Sequence, residues 1–544
     1  MQVRLSQLNY HIGNFEDNVR KIVSEIVDAK KDGVNLIVFS ELSVCGYPPR
    51  DFLEFEDFIK RCETAIDEIA KLCVGITAIV GAPIRNTEVS GKDLYNAAYV
   101  LADGGIQQVI KKTLLPNYDI FDEYRYFEPN REFEIVEVDG VKIALTICED
   151  LWNVEDPLYI VSPMDELMKF GPELMINIAA SPFDFAHRED RIRILNKNCS
   201  KYGLPVLYTN HVGAQTELIF DGGSMALNAA GDLLHELHYF EEDKATFEFD
   251  LELKLLGEKR IDSRSKIERI HDAIVLGIKD YFGKLGFKKA VLGLSGGIDS
   301  AVVLYLASKA LGPENVRTLL MPSGFSSQHS VDDSVQLSKN LGTQYDIVPI
   351  ENLFQEFRSD LSPIFGDLPF NIAEENIQAR VRGVLLMAIS NKFGNIVLNT
   401  SNKSECAVGY STIYGDMNGG LSVIADLYKT EVYELARWVN RNGEIIPENI
   451  ITKAPSAELR PDQKDSDSLP EYDELDEILI EYIENRKGPQ EIMDMGHDAE
   501  LVNRILRLVN INEYKRYQTP PILRVSKKAF GMGRRVPIVG KYLC

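Results

Sequence analysis

The sequence lacks the features that mark membrane and secreted proteins. Its 544 residues contain no uninterrupted apolar run long enough to cross a bilayer, and residues 1–7 lack the apolar stretch of a signal peptide. Cysteine is scarce: seven residues, an odd number, are scattered without paired spacing, which argues against a disulfide framework and a zinc site. We therefore expect a cytoplasmic protein with no membrane partner.

Positive charge is also in deficit, since 59 Lys and Arg residues face 83 Asp and Glu residues and give a formal net charge of −24. A surface this acidic repels polyanions, so we expect no nucleic-acid partner. Any anionic substrate must instead be held by local Lys or Arg side chains, helix ends or a metal ion. At roughly 100–200 residues per domain, the length predicts at least two large domains.

The chain is organised around residues 292–300, where an apolar, strand-like run meets Ser-Gly-Gly-Ile-Asp-Ser and a helical pattern follows. Such a turn points backbone N–H groups and a helix N-terminus at one spot, which suits phosphate. It lacks the Lys of the common nucleotide P-loop, because no Gly-Lys-Ser/Thr follows. Asp299 would put a carboxylate beside the phosphate, as a Mg²⁺ ligand. The simpler alternative is a glycine turn between a strand and a helix.

Residues 1 to about 255 alternate strand-like and helix-like segments, and polar residues follow the predicted strands. Glu41 follows a strand at 34–39, Cys148 follows a strand at 141–147, and Lys112 lies between them in the chain. Together they would supply a nucleophile (Cys148), its general base (Glu41) and a cation for an oxyanion (Lys112). Singly, each has a simpler interpretation, as a core thiol, a helix-start carboxylate and a solvated surface lysine.

The three residues lie in motifs that resemble the nitrilase (carbon–nitrogen hydrolase) superfamily, whose Glu-Lys-Cys triad has this chain order. The resemblance covers most of residues 1–250. Its motifs are Ser-Glu-Leu and Gly-Tyr-Pro-Pro within 40–49, Lys-Thr-Leu-Leu-Pro-Asn-Tyr and Phe-Asp-Glu within 112–123, Ile-Cys-Glu-Asp-Leu-Trp at 147–152 and Ala-Ser-Pro-Phe at 180–183. It implies an α-β-β-α sandwich in which Cys148 attacks a carboxamide, Glu41 takes the thiol proton, and Glu123 orients Lys112.

The Phe-Asp-Glu and Ile-Cys-Glu-Asp-Leu-Trp forms are most similar to the glutaminase branch of that superfamily. This resemblance assigns Tyr118 and Ser181 to the substrate L-glutamine. The family often has Gly followed by Lys or Arg beyond this serine, whereas this chain has Ala-His-Arg at 186–188. The residue that meets the glutamine carboxylate is therefore open between His187 and Arg188, with His187 favoured by its position.

Beyond an amphipathic helix at 267–285, the chain again alternates between strands and helices. Strands are predicted at 316–320, 346–350 and 395–399 and a helix at 331–341, in addition to the strand and helix that flank the Gly-Gly turn. This order implies a doubly wound parallel sheet with a nucleotide at the C-terminal edge of its strands. Polar residues are dense from 400 onward, which suits a metal–phosphate site; a solvated loop is the alternative.

The Ser-Gly-Gly-Ile-Asp-Ser loop resembles that of enzymes that split ATP into AMP and pyrophosphate. Nearly all of residues 265–540 are similar to the NAD⁺ synthetase family, and the whole chain resembles its glutamine-dependent members. The segments that carry this resemblance are Ala-Glu-Glu-Asn-Ile-Gln-Ala-Arg (373–380), Thr-Ser-Asn-Lys-Ser-Glu (400–405), Lys-Ala-Pro-Ser-Ala-Glu-Leu-Arg-Pro-Asp-Gln (453–463) and Lys-Arg-Tyr-Gln-Thr-Pro-Pro (515–521).

This second resemblance implies the ligands of the C-terminal half. It assigns Mg²⁺ to Asp299 and Glu405, and deamido-NAD (nicotinate adenine dinucleotide) to Asn376, Glu405 and Lys515. The residues assigned to ATP, the co-substrate, are Ser295, Gly296, Gly297, Ile298, Asp299, Ser300, Thr400 and Lys429. Residues 455–472, which would pass for an acidic linker on composition alone, become a lid, and a homo-oligomer built on the C-terminal domains is expected.

These patterns predict a nitrilase-like glutaminase domain at 1–255, a connection at 256–266 where apolar periodicity is lost, and an ATP-binding synthetase domain at 267–544. The implied reaction is the amidation of deamido-NAD to NAD⁺ through an acyl-adenylate, with ammonia taken from glutamine. Three alternatives stay open on the residues alone. They are another glutamine-fed ligase with the same ATP loop, a non-catalytic dinucleotide-binding scaffold, and an amidase with an unrelated C-terminal half.

Overall fold

The computed structural model describes residues 1–88, 90–155, 158–461, 463–467 and 469–543. It divides into two compact units, Met1–Arg264 and Ser265–Cys544, each of which is described by itself. None of the helices in these described ranges combines the length and the apolar content that a membrane span requires.

The first unit is a mixed α/β structure. Its strands are β1 (Gln2–Gln7), β2 (Leu36–Val38), β3 (Thr77–Arg85), β4 (Leu94–Ala102), β5 (Gly105–Lys111), β6 (Val136–Val138), β7 (Val141–Ile147), β8 (Leu174–Ala179), β9 (Val206–Asn210), β10 (Val212–Gln215), β11 (Leu218–Asp221), β12 (Met225–Leu227), β13 (Leu233–Glu236), β14 (Asp243–Asp250) and β15 (Glu252–Leu256). Its α-helices are α1 (Phe15–Lys31), α2 (Glu56–Leu72), α3 (Pro163–Leu167) and α4 (His187–Tyr202).

Two sheets form the centre of this unit, with strand orders β15-β14-β1-β2-β3-β4-β5 and β13-β12-β9-β8-β7-β6. One apolar cluster contains side chains from both sheets, among them Val38, Val100, Leu145 and Ile176, so the sheets pack face to face. Helix α2 contacts β3 and β5 and packs against α1, whereas α3 contacts β7 and α4 contacts β12. The α-β-β-α sandwich expected from the resemblance is confirmed.

The second unit is also α/β. Its strands are β16 (Ala290–Gly293), β17 (Val316–Leu320), β18 (Gln344–Ile347), β19 (Ile396–Asn399) and β20 (Leu421–Ser422). Its α-helices are α5 (Lys266–Leu285), α6 (Ile298–Leu311), α7 (Gln328–Leu341), α8 (Glu351–Phe365), α9 (Ile372–Phe393), α10 (Lys403–Val408), α11 (Lys429–Val439), α12 (Glu448–Thr452), α13 (Tyr472–Ile483), α14 (Pro489–Asp494), α15 (Ala499–Ile511) and α16 (Glu513–Arg516).

These five strands form one sheet of order β18-β17-β16-β19-β20, in which every neighbouring pair is parallel. Helix α9 packs against the face that carries Val291, Leu319 and Val397, and α6 and α7 contact β17. Because the chain leaves β16 in one direction along the sheet and reaches β19 on its other side, the C-terminal end of β16 is a topological switch point. The predicted doubly wound parallel sheet is confirmed.

Some element boundaries differ from the sequence prediction. Helix α7 begins at Gln328 rather than at Val331. The side chain of Ser327 accepts the N–H of Ser330 and thereby caps the start of the helix. The strand predicted at 346–350 is displaced to Gln344–Ile347, where it pairs with β17. Leu256, at the start of the predicted connection, belongs to β15 because that strand pairs with β14.

Gly81 lies on β3, in the seven-stranded sheet of the first unit. At this point the strand approaches the backbone segment that carries Glu41. A Cβ atom at Gly81 would come within 2.4 Å of the Leu42 nitrogen and 2.6 Å of the Ser40 oxygen, both backbone atoms. We expect Gly81→Ala to lower the stability of the protein by about 1–3 kcal/mol through this overlap. Thermal or urea unfolding measures the loss.

The matched control is Gly105→Ala. Gly105 lies on β5 of the same sheet, and a Cβ atom there would have nothing within 4 Å. Equal stability of the two variants would show that the approach of β3 to the Glu41 segment is looser than the structure indicates.

Candidate active sites

Four residues predicted from the sequence converge in the first unit. Glu41 follows β2, Lys112 follows β5, Cys148 follows β7, and Glu123 begins a short 3₁₀ turn. Glu41 and Lys112 are completely buried, and Glu123 and Cys148 are each only 5% exposed. The alternative of a solvated surface lysine at Lys112 is therefore wrong.

The ammonium group of Lys112 is held between two carboxylates. Its Nζ atom lies 2.7 Å from Glu41 Oε1 and 2.8 and 2.9 Å from the two oxygens of Glu123. Burial by itself would lower the pKa of Lys112, but the charges of Glu123 and Glu41 hold that pKa well above its usual range. This position therefore carries a permanent positive charge.

Further polar groups fix the two carboxylates. Asn96 on β4 donates to Glu41 Oε1 over 2.7 Å, and the N–H of Ala180 donates to Glu41 Oε2 over 3.0 Å. The Tyr47 hydroxyl donates to Glu123 Oε1 over 2.8 Å. Burial raises the pKa of Glu123 to about 7, even though Lys112 lowers it. The sequence analysis missed Asn96 because it lies in no motif. Tyr47 lies in the Gly-Tyr-Pro-Pro motif, but the sequence assigned no role to it.

Cys148 is the first residue of a 3₁₀ turn, Cys148–Leu151, and has a left-handed backbone with φ of 45°. Few non-glycine residues adopt this conformation, which is concentrated at functional sites. Burial and the charge of Glu41 raise the pKa of the thiol well above its ordinary value, although Lys112 acts in the opposite direction. The resting thiol is thus protonated, and its attack on a substrate requires a base.

The residues expected to bind glutamine lie around the same turn. The Tyr118 hydroxyl donates to both oxygens of Glu149, each over 3.0 Å. Ser181 Oγ and His187 Nε2 are 2.8 Å apart, and the His187 ring stacks on Trp152 with centroids 5.1 Å apart. Tyr118 is 44% exposed, so this side of the site is open to solvent.

Arg188, the other candidate for the glutamine carboxylate, is engaged elsewhere. Its guanidinium donates to both oxygens of Glu236, over 2.9 Å from Nε and 2.7 Å from Nη2. Glu236 is completely buried. This bidentate pair occupies the face of the guanidinium that would meet a carboxylate.

In the second unit, the Ser-Gly-Gly-Ile-Asp-Ser loop joins β16 to α6 as predicted. Gly296 has φ of 80°, and Gly297 immediately precedes the helix. The loop borders a cavity of about 290 Å³. The sequence-predicted ATP residues lie along this one cavity: Ser295, Gly296, Gly297, Ile298, Asp299, Ser300, Thr400 and Lys429.

Lys429 lies between the two carboxylates expected to bind Mg²⁺. Its Nζ atom is 2.5 Å from Asp299 Oδ2 and 3.5 Å from Glu405 Oε1, and both carboxylates line the cavity. Burial and the charge of Asp299 raise the pKa of Glu405 to about 8. Asp465 lines the same cavity, so acidic groups outnumber the buried lysine beside them.

Two residues expected to bind deamido-NAD, Asn376 and Lys515, contact the loop that follows α10. Asn376 accepts a hydrogen bond from Thr412 over 2.7 Å, and Lys515 Nζ donates to the carbonyls of Gly409 and Ser411 over 2.7 and 2.8 Å. Neither is among the residues that line the cavity, although Asp416 of the same loop is. The third, Glu405, lies inside it.

Arg382 on α9 was missed by the sequence analysis. It lines the cavity, its Nε donates to the carbonyl of Met321 over 3.1 Å, and burial lowers its pKa to about 10. The only sequence signal is its place two residues after the Ala-Glu-Glu-Asn-Ile-Gln-Ala-Arg segment.

The expected lid reaches the same cavity. Glu458 accepts hydrogen bonds from Lys453 Nζ over 2.6 Å and from Ser330 Oγ over 2.8 Å, and all three residues line the cavity. Asp462 and Ser468 of the expected lid lie outside the described residues.

Gly296 is the residue of this loop that tolerates a side chain least. A Cβ atom would come within 2.5 Å of the Ser330 oxygen and 2.7 Å of its Cα atom, at a positive φ. We expect Gly296→Ala to weaken ATP binding by at least about tenfold, or roughly 1.4 kcal/mol, measured by calorimetric titration.

Gly283→Ala on α5 is the control, since a Cβ atom there would have open space and the helix would gain propensity. Unchanged ATP affinity in Gly296→Ala would contradict the role of this loop.

Comparison with known proteins covers both units. Residues 2–257 match the carbon-nitrogen hydrolase family, and residues 270–519 match the NAD synthase family. The chain is 45% identical to the glutamine-dependent NAD(+) synthetase of a Synechocystis species, with 98% of each chain covered. It is 40% identical to the enzyme of that name from Thermotoga maritima, with 100% of this chain and 99% of the relative covered.

Two solved structures resemble this chain over nearly its whole length. The chain is 38% identical to the glutamine-dependent NAD+ synthetase of Acinetobacter baumannii, solved in complex with ADP, with a TM-score of 0.79 over 99% of this chain and 98% of that one. A Cytophaga hutchinsonii protein of the same description, 21% identical with a TM-score of 0.84 over the same shares, supports the fold alone. These matches exclude the alternative of an amidase with an unrelated C-terminal half. The chain belongs to the family of glutamine-dependent NAD⁺ synthetases.

Proposed function

We propose that this chain converts deamido-NAD into NAD⁺, using ATP and the amide nitrogen of L-glutamine and releasing AMP, pyrophosphate and glutamate. The observation that carries the proposal is the pairing, on one chain, of a buried Glu-Lys-Cys constellation with a nucleotide cavity bordered by the Ser-Gly-Gly-Ile-Asp-Ser loop. A scaffold that only binds a dinucleotide would have no use for the first, and an amidase would have no use for the second.

In the first site, the Cys148 sulfur attacks the carboxamide carbon of glutamine while Glu41 takes the thiol proton. A base is needed because the thiol pKa is raised. Glu41 then gives a proton to the departing nitrogen, which leaves as ammonia, and water hydrolyses the thioester to free glutamate. Lys112 and the N–H after Cys148 stabilise the negative oxygen of the tetrahedral intermediates, and Glu123 orients Lys112.

Glutamine itself is held by Tyr118, Ser181 and His187. We assign the substrate carboxylate to His187, which contacts Ser181 on the open side of the site, because Arg188 is already paired with Glu236. A buried bidentate pair is costly to break, so Arg188 would lose more than it gains by turning toward the substrate.

In the second site, the backbone N–H groups of residues 295–300 and the side chains of Thr400 and Lys429 hold the phosphates of ATP. The carboxylate of the nicotinate ring attacks the α-phosphorus, forms an acyl-adenylate and expels pyrophosphate. Ammonia then attacks the acyl carbon and expels AMP. Activation is necessary because an oxide ion is too poor a leaving group for ammonia to displace.

The residues of the cavity fit a Mg²⁺ ion. No group of three or more His, Cys, Asp or Glu side chains in the described parts of the chain is arranged to hold a metal. Mg²⁺, however, is commonly bound by one or two carboxylates together with substrate phosphates. Asp299 and Glu405 supply such oxygens, and the acidic excess around Lys429 favours a cation. When bound, the ion would neutralise charge on the departing pyrophosphate.

We also propose that the chain forms a homo-oligomer through its C-terminal units and acts in the cytoplasm, as expected from the sequence. Apolar side chains on α8 and α9 support the first part, because monomers seldom leave such faces open. The exposed residues are Phe357, Ile364, Ile372 and Val384.

Replacing the nucleophile separates the two half-reactions. We expect Cys148→Ala to abolish NAD⁺ formation with glutamine and to retain it with high ammonium, because the ATP cavity is untouched. Product formation from deamido-NAD and Mg-ATP is measured with each nitrogen donor. Activity of the variant on glutamine would exclude Cys148 as nucleophile; failure of the wild type on both donors would exclude the proposed acceptor.

Removing one carboxylate tests the metal assignment. We expect Asp299→Asn to raise the Mg²⁺ concentration needed for ATP binding by about tenfold or more, or roughly 1.4 kcal/mol, because a charged oxygen ligand becomes a neutral amide. Calorimetry of ATP at several Mg²⁺ concentrations gives this value without turnover. Asp360→Asn, an exposed position on α8, is the control. The same Mg²⁺ dependence in both variants would contradict a role for Asp299 as a ligand.

A further inference from the structure

Asp150 is a buried carboxylate, 4% exposed, that the reaction described above does not use. Its Oδ1 atom accepts the backbone N–H groups of Thr113 and Leu114 over 3.1 and 2.8 Å. Its Oδ2 atom accepts the N–H of Ile147 over 3.0 Å. One side chain thus binds three backbone groups from two separate segments.

These segments are the ones that carry the oxyanion cation and the nucleophile. Thr113 directly follows Lys112 at the end of β5, and Ile147 directly precedes Cys148 at the end of β7. Strands β5 and β7 belong to different sheets of the sandwich, so no ladder of strand hydrogen bonds joins them. Asp150 therefore links the backbone of Lys112 to that of Cys148 across the two sheets.

Apolar packing alone does not hold the segment after β5 against the segment at the end of β7. A small cavity of about 40 Å³ is bordered by Asp150 together with Thr113, Thr146 and Leu145. Burying the carboxylate is costly, as its raised pKa of about 7 indicates, and its three N–H bonds offset only part of that cost. The two segments are therefore held together by directed hydrogen bonds to this one carboxyl group.

We propose that Asp150 is a positioning residue of the glutaminase site, which sets the distance between the Lys112 ammonium and the Cys148 sulfur for oxyanion stabilisation. The inference rests on the proposed function of these two residues. A lysine ammonium stabilises developing charge only if it is held where the oxyanion forms, and misplacement by about 1 Å can cost about 10²-fold in rate.

Loss of the Asp150 hydrogen bonds is expected to change kcat rather than KM. The residues assigned to glutamine binding, Tyr118, Ser181 and His187, make none of the three hydrogen bonds that Asp150 accepts. Loss of the link should weaken stabilisation of the transition state and leave ground-state binding of glutamine nearly unchanged.

The test is Asp150→Asn, which keeps one acceptor oxygen and places an NH₂ group against a backbone N–H. We expect the kcat of glutamine hydrolysis to fall about 10²-fold, with KM for glutamine nearly constant. NAD⁺ formation with ammonium should stay close to wild type, while the backbone N–H left without an acceptor should lower the thermal unfolding midpoint slightly. Asp139→Asn is the matched control, because Asp139 is exposed in the turn between β6 and β7 and Asn tolerates its left-handed backbone.

Three outcomes would overturn the inference: an unchanged kcat with glutamine, a rise in KM at constant kcat, or a parallel loss of the ammonium reaction. If Asp150→Asn does not fold, Asp150→Glu decides by the same kinetics, since it keeps the charge but shifts the carboxylate by one methylene group. Glutamine-dependent activity in Cys148→Ala would instead refute the proposed function itself, whatever Asp150 does.

Discussion

The glutaminase half depends on the burial of one ammonium group. Lys112 has no exposed surface, and an isolated charge at that depth would cost many kcal/mol. The structure compensates it with two carboxylates, Glu41 and Glu123, and removal of both would leave an unpaired charge in the interior. Because Glu41 lies 71 positions from Lys112 in the chain, this requirement also dictates how the segments that follow β2 and β5 are placed. The catalytic arrangement and the folding of this half are therefore hard to separate.

The synthetase half also buries a lysine between two carboxylates, but the surroundings of these carboxylates differ. Lys429 is buried between Asp299 and Glu405, and these two carboxylates hold its pKa above the usual range even though burial lowers it. Here, however, the acidic groups line an open cavity and are joined by Asp465, and the raised pKa of Glu405, about 8, means that a bound cation would favour its ionisation. The carboxylates of the first site are buried against protein donors, whereas those of the second face a cavity in which a ligand can reach them. That difference suits one site that must position a thiol for attack and one that must accept and release a polyanion.

The parts that could be predicted from the sequence are those written in short, contiguous motifs. Residues 295–300 and 147–152 specify strand-turn units, so the sequence alone places Asp299 and Cys148 at strand ends. Asn96 could not, because its role depends on a neighbour 55 positions away, and a lone Asn on a strand is ordinary. Arg382 likewise gains significance only where α9 crosses the end of β17. Boundaries shifted where a side chain intervened, as when the Ser327 cap lengthened α7.

The high pKa of the Cys148 thiol gives the paired sites a further property. Many enzymes lower the pKa of such a thiol to make it reactive at rest, but here burial and Glu41 together raise it. A protonated, nearly inaccessible thiol reacts slowly with oxidants and adventitious electrophiles. In the proposed reaction it becomes a nucleophile only when a carboxamide is aligned and Glu41 can take the proton during the attack. A thiol that stays protonated until its substrate is aligned is thus protected from oxidation between turnovers, which a permanently ionised thiol would not be.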